Sequence, residues 1–251
     1  MTKPIIDAHP SLVIATNSLK NKLLLSVYDS GYRGGEGPYP LSANVIGGNP
    51  DIEYDEKGPR QVLEREIIEE FDPNFQLKNP KTNQFNQRVA WANPKDIESI
   101  RNNLLEGLFP LSDFYVQAKP FAEGTAEYEA IFSYFSSKLP DSVFEVAESN
   151  LRRQKALTPE GLVGVFTLDE LENDSRGDLT TAHATAAALN YIFKTNLSCK
   201  EEIKVTPIGR GPRDSFADYL QDFEYSKEPK PNHNNPKEMD PSFHQVIFGK
   251  Q

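Results

Sequence analysis

"VIGGNPDIEYDEKGPRQVLEREIIEEFDP", Val45 to Pro73, decides how this chain is read. A short apolar run ends abruptly on Gly47-Gly48, a turn-rich loop follows, and Gly58-Pro59 opens a helix that Pro73 stops about four turns later. Leu63, Ile67 and Phe71 recur at i, i+4 and i+8 and give that helix an apolar stripe. At ~100° per residue, Glu66, Glu69 and Glu70 fall beside the stripe within an arc of roughly 100°, so their carboxylates share one face. Glu64 adds a further negative charge in the same two or so turns, where like charges at i,i+4 cost a few tenths of a kcal/mol per pair. Something should offset that cost.

The rest of the composition limits what it can be. With 251 residues, 37% hydrophobic and 25% charged, the chain suits one large domain, or a domain with appendages, around a substantial core. No run approaches the ~18 apolar residues of a membrane span, and "MTKPIIDAHPSLVIATN" lacks the basic-then-apolar pattern of a signal peptide. A net charge of -10 and a pI near 5.0 argue against bulk nucleic acid or an anionic membrane as partner, since phosphate repels such a field. A polyanionic small molecule would therefore need a metal ion beside it. The single cysteine, Cys199, excludes an intrachain disulfide framework and a cysteine zinc site, which fits a reducing, cytoplasmic setting. The four histidines are scattered without metal-ligand spacing.

Around the opening stretch the chain alternates strands and helices. "SLVIATN" and "KLLLSVYDSG" read as two strands joined by a turn, "GYRGGEGPYPL" as an irregular loop, and "SANVIGG" as the strand that ends on the glycine pair. Polar and turn-forming residues from Phe75 onward, followed by the helix "PKDIESIRNNLLEGLF", read as an insertion reaching to Pro120. A strand begins at Tyr128, "FEVAESNLRRQKAL" reads as a helix, and "GLVGVFTLDELEN" is a strand running into a short helix capped by Thr167 or Asp169. "DLTTAHATAAALNYIFKT" is an alanine-rich helix. After Cys199 the chain turns rich in proline and charge through "EYSKEPKPNHNNPKEMDPSF", the composition of an extended tail. The expected organisation is one domain over residues 1–197, with an insertion at about 75–120, and a partly irregular C-terminal extension over 198–251.

A strand ending in Gly-Gly, a loop, and a helix carrying Arg-Glu-x-x-Glu-Glu resembles the Nudix box, G-x5-E-x7-R-E-U-x-E-E-x-G-U, where U is aliphatic. This sequence supplies Gly47-Gly48 and "REIIEE" from Arg65 to Glu70. The loop is three residues longer than the pattern between Gly48 and Arg65. Counting back from Arg65 puts Lys57 at the first glutamate position, counting forward from Gly48 puts Tyr54 there, and Glu56 is the nearest carboxylate. Asp72-Pro73 replace the glycine and aliphatic residue after the helix. The resemblance implies an α/β fold, a Nudix-like α/β/α sandwich with a mixed sheet. It implies metal ligation by Glu66, Glu69 and Glu70 with a main-chain carbonyl at Gly47, the metal being Mg2+ or Mn2+. Arg65 would orient the glutamates by a charge-assisted bond. It further implies hydrolysis of the diphosphate linkage in a nucleoside diphosphate joined to another group, with Glu69 and Glu70 among the catalytic residues. Such chemistry suits hard cations held by carboxylate oxygens, which neutralise phosphate charge and activate water.

A glutamate-rich helix face by itself is ordinarily solvated surface; the glycine pair upstream and the strand order around it distinguish this one. Family members often add a carboxylate from a later loop as general base, and Glu127 is the candidate here, ahead of Glu123, Glu129 and Glu160. Arg33, Arg88, Lys119, Arg152 and Arg153 are candidate phosphate contacts, Trp91 and Tyr39 candidate base-stacking groups, and "GRGPRDSF" has an anion loop's residues without its strand-to-helix context. For each of these, solvated charge or packing is the ordinary role, as it is for His183 in the alanine-rich helix. Two other readings stay open: a catalytically silent Nudix-fold binding or regulatory module, and an acidic interaction protein. Exposed sheet edges or the tail could serve a homodimer.

Overall fold

The computed structural model describes residues 2–28, 42–51, 54–74, 90–120, 128–153, 155–159, 161–173, 180–181, 183–197, 201–209, 211–226, 231–232 and 235–239. Along the chain these form β1 (Ile5–Ile6), β2 (Ser11–Asn17), β3 (Leu23–Tyr28), β4 (Ser42–Asn44), β5 (Ile46–Gly48), α1 (Pro59–Glu70), β6 (Ala90–Trp91), α2 (Pro94–Glu106), β7 (Leu108–Pro120) and β8 (Tyr128–Leu139). There follow α3 (Asp141–Arg152), β9 (Lys155–Ala156), β10 (Gly161–Phe166), α4 (Leu168–Glu172), β11 (Thr180–Thr181), α5 (His183–Phe193), β12 (Glu201–Gly209), α6 (Phe216–Tyr219), β13 (Glu224–Tyr225), β14 (Pro231–Asn232) and β15 (Asn235–Met239).

The fold is mixed α/β. A nine-stranded sheet runs β11-β4-β3-β2-β8-β7-β12, with β10 on the free side of β3 and β5 beside β2. β2 and β8 are parallel, Ser11 opposite Ser133 and Asn17 opposite Leu139, whereas β7 pairs antiparallel with both β8 and β12. β2 divides one edge between two partners: Ala15 and Thr16 pair with β3, Ser11 to Val13 with β5.

β2 explains the layering. All of its residues are buried, and side chains alternate across a strand. Val13 and Ala15 face a core shared with Leu63, Ile67 and Phe71 of the α1 region, Ile97, Ile100 and Leu104 of α2, and Val143 and Phe144 of α3. Leu12 and Ile14 face an opposite core closed by Ala186, Ala188 and Leu189 of α5. The small alanines of α5 let that helix lie close against the sheet. Among the described residues no helix is long and apolar enough to cross a membrane.

Local signals hold where they were strong. Pro59 stands at the start of α1, which ends as Phe71 donates its N–H to the Ile67 carbonyl. Asn93 caps α2, and Thr167 caps α4 through a reciprocal bond with Glu170. The span expected as an insertion supplies α2 and the central strand β7; residues 75–89 within it lie outside the described residues. Beyond Cys199 the chain, which composition reads as extended, adds β12 to the sheet edge and then folds back. Tyr219, Phe223 and Tyr225 bury themselves with Ile6 and Ile131, and β13 runs parallel to β1. Four aromatics in "SFADYLQDFEY" account for this, because each ring removes a large apolar area from water despite polar neighbours.

Candidate functional site

Gly47 and Gly48 bring the end of β5 against both β2 and α1. Gly47 has φ +131°, and a Cβ there would lie 2.1 Å from the Ser11 carbonyl oxygen, so only glycine fits without strain. A Cβ on Gly48 would lie 2.4 Å from a Glu66 carboxylate oxygen. The pair therefore leaves room for the strand on one side and for the helix's carboxylate on the other.

Arg65 organises what the helix presents. Its Nε–H donates to Glu56 at 2.8 Å, Nη2 donates to the Asn49 carbonyl at 2.7 Å, and Nη1 lies 2.9 Å from Glu66 and 2.8 Å from Glu69. Its side chain is only 10% exposed. Burial alone would lower the guanidinium's pKa, but its hydrogen bonds to Glu56 and Glu69 and the charges of Glu66 and Glu56 outweigh it and hold the group above its ordinary value. Glu56, with 4% of its side chain exposed, also accepts the Asp51 N–H at 3.0 Å. One arginine thus ties the helix to both sides of the loop after Gly48.

The acidic residues divide by direction. Glu70 is buried and accepts the Gly47 N–H through Oε1 at 3.2 Å. Glu69 is 43% exposed beyond Arg65, and its hydrogen bond to the exposed Tyr54 raises that phenol's pKa. The Tyr54 ring also lies under the Arg65 guanidinium, 5.1 Å from it. Glu64 turns away and pairs with Arg60 at 2.8 Å. The crowding of like charges along α1 is met inside the protein, by Arg65 on one side and Arg60 on the other.

Carboxylate oxygens on one helix face, opposite main-chain groups of a strand end, are the donor chemistry of a hard divalent cation. Among the described residues no three His, Cys, Asp or Glu stand together so as to hold a metal ion. Glu66 and Glu69 are both turned onto Nη1 of Arg65, so ligation would require them to exchange that nitrogen for the cation.

Of the other candidates, only some fall on described residues. Glu127 lies outside the described residues, as do Glu123, Glu160, Arg33, Arg88 and Tyr39. Glu129 accepts from Tyr115 and from Gln117 on the neighbouring strand. Arg152 extends into solvent near Glu148, Trp91 is half-buried in β6, and His183 is the first residue of α5.

A second polar cluster has no counterpart in the motif reading. His9 is fully buried between Tyr225, whose hydroxyl is 2.8 Å from Nδ1, and Ser133, whose Oγ is 2.9 Å from Nε2. Ser133 donates its one proton to Asp113 at 2.7 Å, and Tyr219 donates to the same carboxylate at 2.7 Å. Ser133 can then only accept from His9, which places the imidazole proton on Nε2 and makes Nδ1 the acceptor for Tyr225. Burial, and to a lesser degree the charge of Arg213, pushes the His9 pKa down to about 3, while burial raises that of Asp113. The residue types are those of a nucleophilic triad, but the wiring is not: Ser133 is buried and its proton points to Asp113 rather than to the histidine. No sequence signal links these residues, which come from separate segments.

The chain matches no protein-family model and no curated protein sequence.

Proposed function

We propose that this chain is a Nudix-type hydrolase, a mixed-sheet α/β/α sandwich that uses Mg2+ or Mn2+ to cleave the diphosphate linkage of a nucleoside diphosphate joined to another group. The observation that carries the reading is Arg65, held by Glu56 on one side and engaging Glu66 and Glu69 on the other, directly opposite the Gly47-Gly48 strand end. Glu56 answers the loop insertion, because it occupies the arginine's free edge although the spacing is irregular.

In this mechanism Glu66, Glu69 and Glu70, with a main-chain carbonyl at Gly47, would hold the cation. The metal supplies neutralisation of phosphate charge and a lowered pKa for the attacking water. Arg65 keeps the carboxylates oriented and limits their swing. Glu70, buried and accepting the Gly47 N–H, has its carboxyl group fixed toward the strand end. Glu69, exposed at the rim, is free to turn from Arg65. A carboxylate from a later loop, with Glu127 as the candidate, would take the proton from water.

A specific observation favours the second reading, a catalytically silent nucleotide-binding module of the same fold. Nη1 of Arg65 already pairs with both Glu66 and Glu69, so part of the helix's negative charge is offset without metal. Mn2+ titration, followed by the paramagnetic resonance signal of the free ion, separates the two. Saturable binding that Glu66→Gln abolishes supports the hydrolase; no binding removes it and leaves the silent module.

A further inference from the structure

We infer that the segment from Arg213 to Tyr225 is a strap that positions the acidic helix by holding the two residues, Lys57 and Gly58, that join Glu56 to Pro59. The inference rests on the metal-site reading for its consequence, but its geometry stands independently.

The strap is anchored to the sheet by buried polar bonds. Tyr219 donates to Asp113 on β7 at 2.7 Å and lies 3.2 Å from Ser133 on β8. Its oxygen accepts the Arg213 N–H at 2.9 Å, so the strap closes on itself there. The Arg213 guanidinium lies 4.7 Å from the Tyr219 ring and pairs with Asp222. Tyr225 reaches His9, and the Ser226 N–H donates to the Ile6 carbonyl at 2.8 Å. Rings pack between these bonds: Tyr219 and Phe216 both meet His9 edge-on, with centroids 4.5 and 5.0 Å away.

From that anchor the strap touches the loop before α1 twice. The Phe216 N–H donates to the Lys57 carbonyl at 2.8 Å. A Cβ on Gly58 would lie 2.0 Å from the Asp214 carbonyl oxygen, so the two backbones are in direct contact. Gly58 is the residue immediately before α1, and no side chain caps the helix there. On one side of the contact is Glu56, which grips Arg65; on the other is the helix that carries Glu66, Glu69 and Glu70. A continuous line of contacts runs from Asp113 through Tyr219, His9, Phe216, Lys57 and Glu56 to Arg65. Releasing the strap frees Glu56 to withdraw, and Arg65 then pairs fully with the glutamates a cation would need. Tyr219 and Gly58 are positioning residues in this scheme, since neither reaches the carboxylates.

The test compares Tyr219→Phe and Gly58→Ala with Leu189→Ala, a core truncation in α5 on the other face of the sheet that reduces stability without touching the strap or α1. Two quantities are read at a temperature well below unfolding: Mn2+ affinity, and solvent exchange of the Arg65 Nε–H by NMR, which reports the Glu56 bond without metal. The expected result is an Mn2+ affinity about 10-fold or more weaker in the two strap variants, the usual scale for losing outer-shell support. Their Arg65 Nε–H exchanges faster, and Leu189→Ala changes neither quantity. Unchanged Arg65 exchange in Tyr219→Phe overturns the inference, as does a loss of affinity in all three variants that follows their melting temperatures. If the wild type binds no Mn2+ while the strap variants still loosen Arg65, the metal-site reading fails and the strap's hold on the helix is upheld.

Discussion

The Nε–H of Arg65 donates to Glu56 at 2.8 Å across the loop that precedes the helix, and both side chains are almost wholly withdrawn from water. A buried charge is tolerated only when paired and hydrogen-bonded. Arg65 has such partners on every side, which makes the arginine a fixed part of the structure and the glutamates around it adjustable.

Glu56→Gln keeps the shape and an acceptor but removes the charge. The expected loss of stability is about 1–3 kcal/mol, the range for a buried hydrogen bond to a charged group. It appears as a lowered urea midpoint with an unchanged slope. A midpoint equal to wild type would show that the pair contributes nothing to the fold.

The two glycines predict different failures. Gly47→Ala places a Cβ against the backbone of β2 at a positive φ, and a strain of about 1–3 kcal/mol or more should appear as lowered stability. Gly48→Ala meets only the end of the Glu66 side chain, which can swing away. That variant should melt near the wild type yet bind Mn2+ more weakly, as calorimetry and metal titration would show; the reverse pattern would contradict the placement of Glu66.

His9 sets a pH dependence. Its pKa is near 3 when folded and about 6.5 when unfolded, so between these values the unfolded chain binds the extra proton. Stability is full above about pH 6.5 and falls as pH drops, approaching 1.4 kcal/mol per unit in the His9 contribution. Asp113, whose pKa burial raises, opposes this as pH falls toward the ordinary carboxylate range, since its folded form binds the proton more readily. His9→Gln should flatten the decline between pH 6.5 and 5 in urea melts; an identical slope would place the titration elsewhere.

What the sequence showed follows from periodicity. "SLVIATN" is apolar enough to be a central strand, the Leu63-Ile67-Phe71 stripe fixes which face of α1 is buried, and the Thr167 cap is a local signal read without knowledge of the fold. Glu56 was partly visible, as the nearest carboxylate to an interrupted spacing. The pairing of Arg65 with three carboxylates at once was not, because it depends on how the loop folds over the helix. β7 was hidden by its own composition: "LFPLSDFYVQAKP" mixes proline and polar residues that only its neighbours β8 and β12 accommodate. The strap was hidden in the same way. Phe216, Tyr219, Phe223 and Tyr225 sit among acidic residues, and their partners His9, Asp113 and Ser133 come from distant parts of the chain.

The proposed activity requires the Arg65 helix to be a working metal centre. The direct measurement is release of nucleoside monophosphate from a panel of nucleoside diphosphate derivatives, with Mg2+ and with Mn2+, by the wild type and by the Glu69→Gln, Glu70→Gln double variant. The expected result is metal-dependent turnover of at least one compound by the wild type, abolished by chelation and absent in a double variant that remains folded. Equal turnover by the double variant, or none by a wild type that binds panel members, would contradict it.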